Sequence, residues 1–391
     1  MDAAVASRGG RFFLLGRPAF LATALLWSVP FWLLFELFNL RLENWYYIFL
    51  PRESPARWAG IALSFATVIP AVLVAERLLD AWGLARGVRF PPLRLASRAG
   101  RGLQLAGVAM LLLPLAWPRL FFPLVWGGVV LVVDPWVRAR DARRSLLADL
   151  ERGEPGRILR LLAGGLAIGL LWETFNATAR GKWIYTVPGL EDLKIFEMPP
   201  LGFLGFPVFA LEAFAVWQAL VLAGLAVPAE GRRGSARRSG VVAATLAMLL
   251  AVAFSVAMIA AMHRSTIASL APTVADLGAP PELLAAAGVD DPWELAGADP
   301  DRVATAAGVE EARARAWVER ARLASLRGIG APGAARLAEV GVGTVAALAA
   351  AEPDGIAARL AAAGPPIDPA RVRVWVRAAR EERSRATRPS S

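Results

Sequence analysis

The sequence predicts an all-α protein in two parts, a polytopic helical membrane domain followed by a small C-terminal helical domain. Three observations carry this. Of the 391 residues, 56% are hydrophobic, above the roughly 45–50% of soluble domains. Seven apolar stretches approach the length of about 20 residues that crosses a bilayer. After residue 266 the apolar runs stop and charged residues return. The predicted division is a membrane domain over 1–266, a linker over 267–280, a compact domain over 281–383 and a disordered tail over 384–391.

The predicted spans are 18–39, 58–76, 102–117, 120–136, 158–176, 201–227 and 241–262. The third and fourth are short and form a hairpin around "WPRLFFP", where Pro118 and Pro123 interrupt the helix. The first run follows Arg8, Arg11 and Arg17 in the manner of a signal peptide. It is long and lacks a small-residue cleavage site, so it reads as a retained helix. The basic loops 86–101, 138–144 and 230–238 fall on one side, which puts the N-terminus in the cytoplasm. Loops 40–57 and 177–200 then lie on the outer face, and seven spans carry the C-terminal domain there too.

Composition removes several chemistries. There is no cysteine, which excludes disulfides, thiolate zinc sites and a cysteine nucleophile. The single histidine, His263, cannot supply a two-histidine metal site, so no metal is predicted. A Ser-His-Asp triad would have to use that one residue, at the end of an apolar run. No particular cofactor is indicated. The net charge is +10, but residues from 281 onward hold fifteen Arg against fifteen Asp and Glu. The excess therefore belongs to the loops of the membrane part, not to a nucleic-acid-binding surface.

The chemistry-bearing residues occur twice. "LLFELFNLRLENWYY" (33–47) and "LLWETFNATARGKWIY" (170–185) share one order: Glu36, Phe38, Asn39, Trp45 and Tyr47 against Glu173, Phe175, Asn176, Trp183 and Tyr185. Each is followed by a helix with a proline and a glutamate, "PAVLVAE" ending at Glu76 and "PVFALE" ending at Glu212. The reading is two repeats, about 17–136 and 157–262, related by a pseudo-twofold along the membrane normal, with the site at their interface. The only tyrosines are Tyr46, Tyr47 and Tyr185, the only asparagines Asn39, Asn44 and Asn176, and the only lysines Lys182 and Lys194. Scarce residue types gathered in two loops point to function.

Glu and Asn three apart share a helical face. Glu173, Glu212 and Glu36 are the candidate catalytic acids and bases. Asn39, Trp45, Tyr47, Asn176, Lys182, Trp183 and Tyr185 are the candidate substrate contacts. A carboxyl group in an apolar pocket can donate a proton, and aromatic faces hold a cation or a polyene. Together they suit protonation of a C=C bond, or cyclisation or hydration of an isoprenoid. Against this, Trp and Tyr also form interfacial belts, and Glu36 and Glu173 sit where a helix end meets solvent. Glu76 lies beside Arg77, whereas Glu212 lies mid-span, where an ionisable group is functional by default. Three classes of function stay open: a membrane enzyme, a non-catalytic anchor presenting the C-terminal domain, and an ion- or proton-coupled transporter.

The stretch "WETFNATARGKWIYTVPGLEDLKIFEMPPLGF" (172–203) resembles the membrane-bound carotenoid hydratase and lycopene-cyclase-type families. That resemblance implies a lipid or isoprenoid, carotenoid-like, substrate.

In the C-terminal part, "LRGIGAPGAARLAEVGV" (326–342) reads as a helix-hairpin-helix. Gly328, Ile329 and Gly330 make the tight turn and Pro332 opens the second helix. Residues 284–300 match 337–353, and 315–322 match 373–380. The whole segment resembles the tandem helix-hairpin-helix family DUF4332. Such a turn can offer N–H groups to a phosphate. Here only Arg327 and Arg336 are basic nearby, so nucleic acid is not predicted as a partner, and a protein partner is. The predicted core is Trp293, Leu295, Trp317, Leu337, Leu348 and Trp375. The partners that follow from the sequence are the lipid bilayer, a lipid or isoprenoid substrate, and a protein bound by the C-terminal domain.

Overall fold

The computed structural model describes residues 1–9, 12–96, 98–188, 193–229 and 240–386. The basic loop 230–238 lies outside the described residues. Of the predicted tail, 384–386 continue the last helix and 387–391 lie outside the described residues.

The fold is helical, and among the described residues seven segments are long and apolar enough to cross a membrane. They are α1 (Pro18–Leu42), Ser54–Ala81 containing α2 (Ser54–Ala66) and α3 (Val68–Ala81), α4 (Ala99–Ala116), Pro118–Arg140 containing α5 (Val125–Arg140), α6 (Gly156–Thr178), Pro200–Leu222 containing α7 (Gly205–Leu222), and α8 (Val241–Ser265). A helix satisfies its own backbone hydrogen bonds, which is what a segment of this length and apolarity would need in lipid.

Two of the spans are broken, and a buried side chain from a neighbouring span satisfies each break. In the second span Pro70 removes a backbone donor. Ser28 of α1, fully buried, donates to the Phe65 carbonyl at 2.6 Å and accepts from the Ile69 N–H at 3.0 Å. In the fourth span Trp126 and Gly127 leave the helical region, Gly127 at a φ of 144° that favours glycine. The N–H groups of Gly127 and Val129 donate to Glu212 Oε1 of α7 at 2.8 and 2.9 Å.

Helix α6 approaches its neighbours through glycines. A Cβ on Gly165 would lie 2.6 Å from the Phe206 carbonyl oxygen and 2.7 Å from Ala210 Cβ. One on Gly169 would lie 2.2 Å from the Phe206 ring, and one on Gly164 would lie 3.2 Å from Ala75 Cβ. Small residues at these positions let the backbones of membrane helices close on each other. Glu76 of α3 accepts from Arg160 of α6 at 2.7 Å, while Arg77 pairs with Asp80.

The chain divides into two compact units. The first comprises Met1–Asn44, Pro55–Ala177 and Leu193–Thr266, and the second Trp45–Ser54, Thr178–Asp192 and Ile267–Ser391. The loops after α1 and α6 thus group with the C-terminal part. In the second unit those loops form strands β1 (Trp45–Ile48) and β2 (Lys182–Tyr185), paired antiparallel in the register Trp45–Tyr185, Tyr46–Ile184, Tyr47–Trp183 and Ile48–Lys182. Exchanging Trp45 with Trp183 and Tyr47 with Tyr185 maps the first three of these pairs onto themselves, with Tyr46–Ile184 at their centre. The segment 267–280, read from sequence as a linker, runs alongside: Ile267 bridges Tyr47 and Leu270 bridges Leu50, both parallel.

The remaining helices are α9 (Pro281–Ala285), α10 (Pro292–Gly297), α11 (Pro300–Ala307), α12 (Glu311–Ser325), α13 (Gly330–Glu339), α14 (Val345–Ala350), α15 (Pro353–Ala363) and α16 (Pro369–Ala386). Prolines at the first turn open α10, α11 and α15. Asp291 caps α10 in a full capping box and Thr344 caps α14. Arg322 Nε of α12 donates to the Ala296 carbonyl at 2.9 Å, and Arg380 Nε of α16 donates to the Ala349 carbonyl at 3.0 Å. Leu295, Trp317, Leu337, Leu348 and Trp375 lie in the core. Trp293 does not, contrary to the sequence reading. It is half-buried and packs against the cluster of Tyr46, Ile48, Phe49, Ile184 and Val374. It stands at the second position of α10, where its N–H donates to the Asp291 cap at 2.8 Å, and the Arg180 guanidinium lies over its ring.

Candidate functional site

The acids and amides of the duplicated motif are buried in the first unit. Glu36 and Asn39 on α1, Glu173 on α6 and Glu212 on α7 have no exposed surface, and Asn176 is 2% exposed. Burial of ionisable groups within apolar spans is costly and needs polar or aromatic company. Glu36 has both. The Trp32 indole, one turn earlier, donates to Glu36 Oε1 at 3.1 Å. Around it Phe35 stacks on Trp126 at 5.1 Å between centroids, and Phe209 meets Phe35 and Trp32 edge-on at 5.2 and 5.6 Å. Phe31 stacks on Phe209 at 5.3 Å.

Asn39 has a clear local task. Its Oδ1 accepts from the Asn44 N–H at 2.9 Å, and its carbonyl accepts from Glu43, whose φ is 53°. It therefore turns the chain out of α1 and into β1. Glu212 Oε1 caps the break in α5, and Glu212 Oε2 is buried with no hydrogen-bond partner among the described residues.

The aromatic half of the motif lies in the second unit. Period-two alternation in β1 and β2 puts Trp45, Tyr47, Trp183 and Tyr185 on one face of the ribbon. Trp183 Nε1 donates to the Tyr185 hydroxyl at 2.9 Å. Lys182, half-buried, pairs across from Ile48. The opposite face carries Tyr46, Ile48 and Ile184, packed with Phe49 and Val374 of α16.

The turn Gly328–Ile329–Gly330 is buried. Gly328 and Gly330 have φ of 77° and 64°. A Cβ on Gly328 would sit 2.8 Å from the Tyr46 hydroxyl and 3.3 Å from Trp375 Nε1, and one on Gly330 would sit 2.7 Å from Ser269 Cβ. Tyr46 lies in turn under the Arg371 guanidinium, 4.6 Å from its ring centroid. Further along, Arg180 stacks over Trp293 at 4.5 Å and pairs with Asp291 at 2.9 Å, and Arg52 pairs with Asp276. Burial pushes the Asp291 carboxyl up, but the Glu294 N–H and the Arg180 guanidinium outweigh it and hold it below the usual carboxylate range.

Residues 281–382 match the family described as Domain of unknown function (DUF4332). No curated protein and no solved structure matches the chain. The glycine turn of this domain, Gly328–Gly330, is covered by Tyr46 of β1 and by Ser269 of its own entry segment.

Several site residues carried no signal that we read in the sequence. Trp32 and Phe35 could have been found from helical spacing, since "FWLLFE" puts Trp32 one turn before Glu36. Trp126 and Phe209 come from distant spans. Glu197, 2% exposed, stands in the apolar run "KIFEMPP". His263 is engaged at both nitrogens: Arg57 Nε donates to Nε2 at 2.7 Å and Nδ1 meets the Ile259 carbonyl at 2.7 Å. Among the described residues no three His, Asp or Glu side chains come together to hold a metal ion.

Proposed function

We propose that the chain is an integral membrane protein carrying out acid–base chemistry on a lipid or isoprenoid substrate at Glu36 and Glu173. One observation carries this reading: a carboxyl group from each motif copy is wholly buried within an apolar span, and each is followed by a buried asparagine. Natural spans retain such groups for function. Glu36 sits against the Trp32 indole and a cluster of stacked rings, surroundings suited to an apolar, unsaturated substrate. In this reading Glu212 maintains the break in α5, and Asn39 positions the helix end beside Glu36. Duplication of the membrane half is supported by the β1–β2 register, whose centre relates Trp45 to Trp183 and Tyr47 to Tyr185. The matched arginine-to-carbonyl bonds of Arg322 and Arg380 support duplication of the DUF4332 half as paired helix-hairpin-helices. We place the N-terminus in the cytoplasm from the arginine-rich loops. Nucleic acid is not a partner in this reading, because the glycine turn is occupied by Tyr46.

The test is mass spectrometry of lipid extracts from cells expressing the wild type, Glu36→Gln, Glu173→Gln and Glu53→Gln. A lipid or isoprenoid species that changes with the wild type and the Glu53 variant, but not with the other two, is expected. Identical profiles in all strains would sink the enzyme reading and leave an anchor for the DUF4332 domain. A second reading, an ion- or proton-coupled transporter, is favoured by the broken α5, since discontinuous spans often build transport sites. Proton uptake into vesicles that is lost with Glu212→Gln would favour it.

A further inference from the structure

The short segment before α7 is built inside out. Ile195 and Met198 exchange backbone hydrogen bonds of 2.9 and 3.1 Å across a tight turn, with Phe196 at a φ of 57°. Residues 200–204 then form a single turn of 3-10 helix leading directly into α7. Leu193, Ile195, Phe196, Leu201 and Leu204 point outward, between 46% and 66% exposed. Glu197, the acidic residue of the segment, is turned inward and is 2% exposed, together with Met198 and Phe203. Met198 can lie across the segment because Gly202 has no side chain: a Cβ there would fall 2.3 Å from its sulfur. A loop facing water has the reverse polarity, and an apolar patch of this kind marks an interaction surface.

We propose that residues 193–204 form a turn inserted into the bilayer, its outward face in contact with lipid acyl chains. The occupant follows from continuity. Residues 200–204 belong to the membrane-length segment Pro200–Leu222, so the patch stands at the end of a span whose remaining residues, 205–222, are buried or half-buried, and its own outward face is the part of that span left for lipid. The one other charged side chain of the segment, Lys194, has a stem long enough to carry its ammonium to the interface. This inference goes beyond the acid–base reading and does not depend on it.

The cysteine-free chain permits a direct test. Phe196→Cys and Leu201→Cys are labelled with an environment-sensitive fluorophore in the full chain, reconstituted in phosphatidylcholine vesicles. Val252→Cys on α8 is the lipid-facing reference and Arg315→Cys on α12 the water-facing one. At least twofold dimming by brominated phosphatidylcholine, with little by iodide, is expected at 196 and 201, as at 252. Quenching by iodide to the level seen at 315, without dimming by brominated lipid, would overturn the proposal. Ile195→Cys replaces Phe196→Cys if the latter lowers the yield of folded protein.

Discussion

Replacing Gly328 by Ala tests how the DUF4332 domain holds the strands that follow α1 and α6. The substitution meets two obstacles. Gly328 has a φ of 77°, and an L-residue held in the left-handed region costs roughly 1–2 kcal/mol. The new methyl would also lie 2.8 Å from the Tyr46 hydroxyl. Tyr46 is 2% exposed and capped by Arg371, so it cannot swing aside, and overpacking of this kind costs about 1–3 kcal/mol. The total is about 2–5 kcal/mol, or at least a 30-fold rise in local opening. Hydrogen exchange of the full chain in detergent micelles, followed on peptides covering 45–50 and 326–339, reads this out. Tyr46→Phe separates the two costs, because it removes the oxygen that the methyl would strike. In that background Gly328→Ala should add only the backbone cost, about tenfold in exchange. Exchange at the wild-type rate in Gly328→Ala, or equal increments in both backgrounds, would refute the assigned contact.

Three further outcomes follow from the same geometry. Glu212→Leu strands the N–H groups of Gly127 and Val129 and should cost about 2–5 kcal/mol, whereas Glu212→Gln keeps an acceptor; a Leu variant that melts with the wild type in detergent would contradict this. Gly165→Leu drives a side chain into the Phe206 carbonyl and Ala210, so protease-resistant protein should fall severalfold, while Gly240→Leu, with open space around it, should not. The folded pKa of Asp291 is lowered, so its stabilisation is complete above the ordinary aspartate value of about 3.9 and is lost as pH falls through the folded value. Exchange at residues 286–295 should therefore rise at acid pH in the wild type, and an equal rise in Asp291→Asn would disprove the link.

The sequence by itself determined the spans. A run of about 20 apolar residues has few alternatives, because lipid forces the backbone to satisfy itself within the helix. It also determined the paired order of Glu36, Asn39, Trp45 and Tyr47 with Glu173, Asn176, Trp183 and Tyr185, and the C-terminal family, since each is a local pattern. Only the tertiary structure decided where those residues are placed and what they touch. The aromatic loops pair with each other as β1 and β2, a contact between segments far apart in the chain, and strand pairing depends on such partners more than on propensity. The break at Trp126–Gly127 was hidden because the prolines at 118 and 123 were the stronger local signal and the compensating acid, Glu212, comes from another span. Tyr46 covers the turn at Gly328 for the same reason. A glycine with a positive φ is legible as a turn, but the side chain that fills the space beside it is chosen by packing, which no local pattern in the sequence encodes.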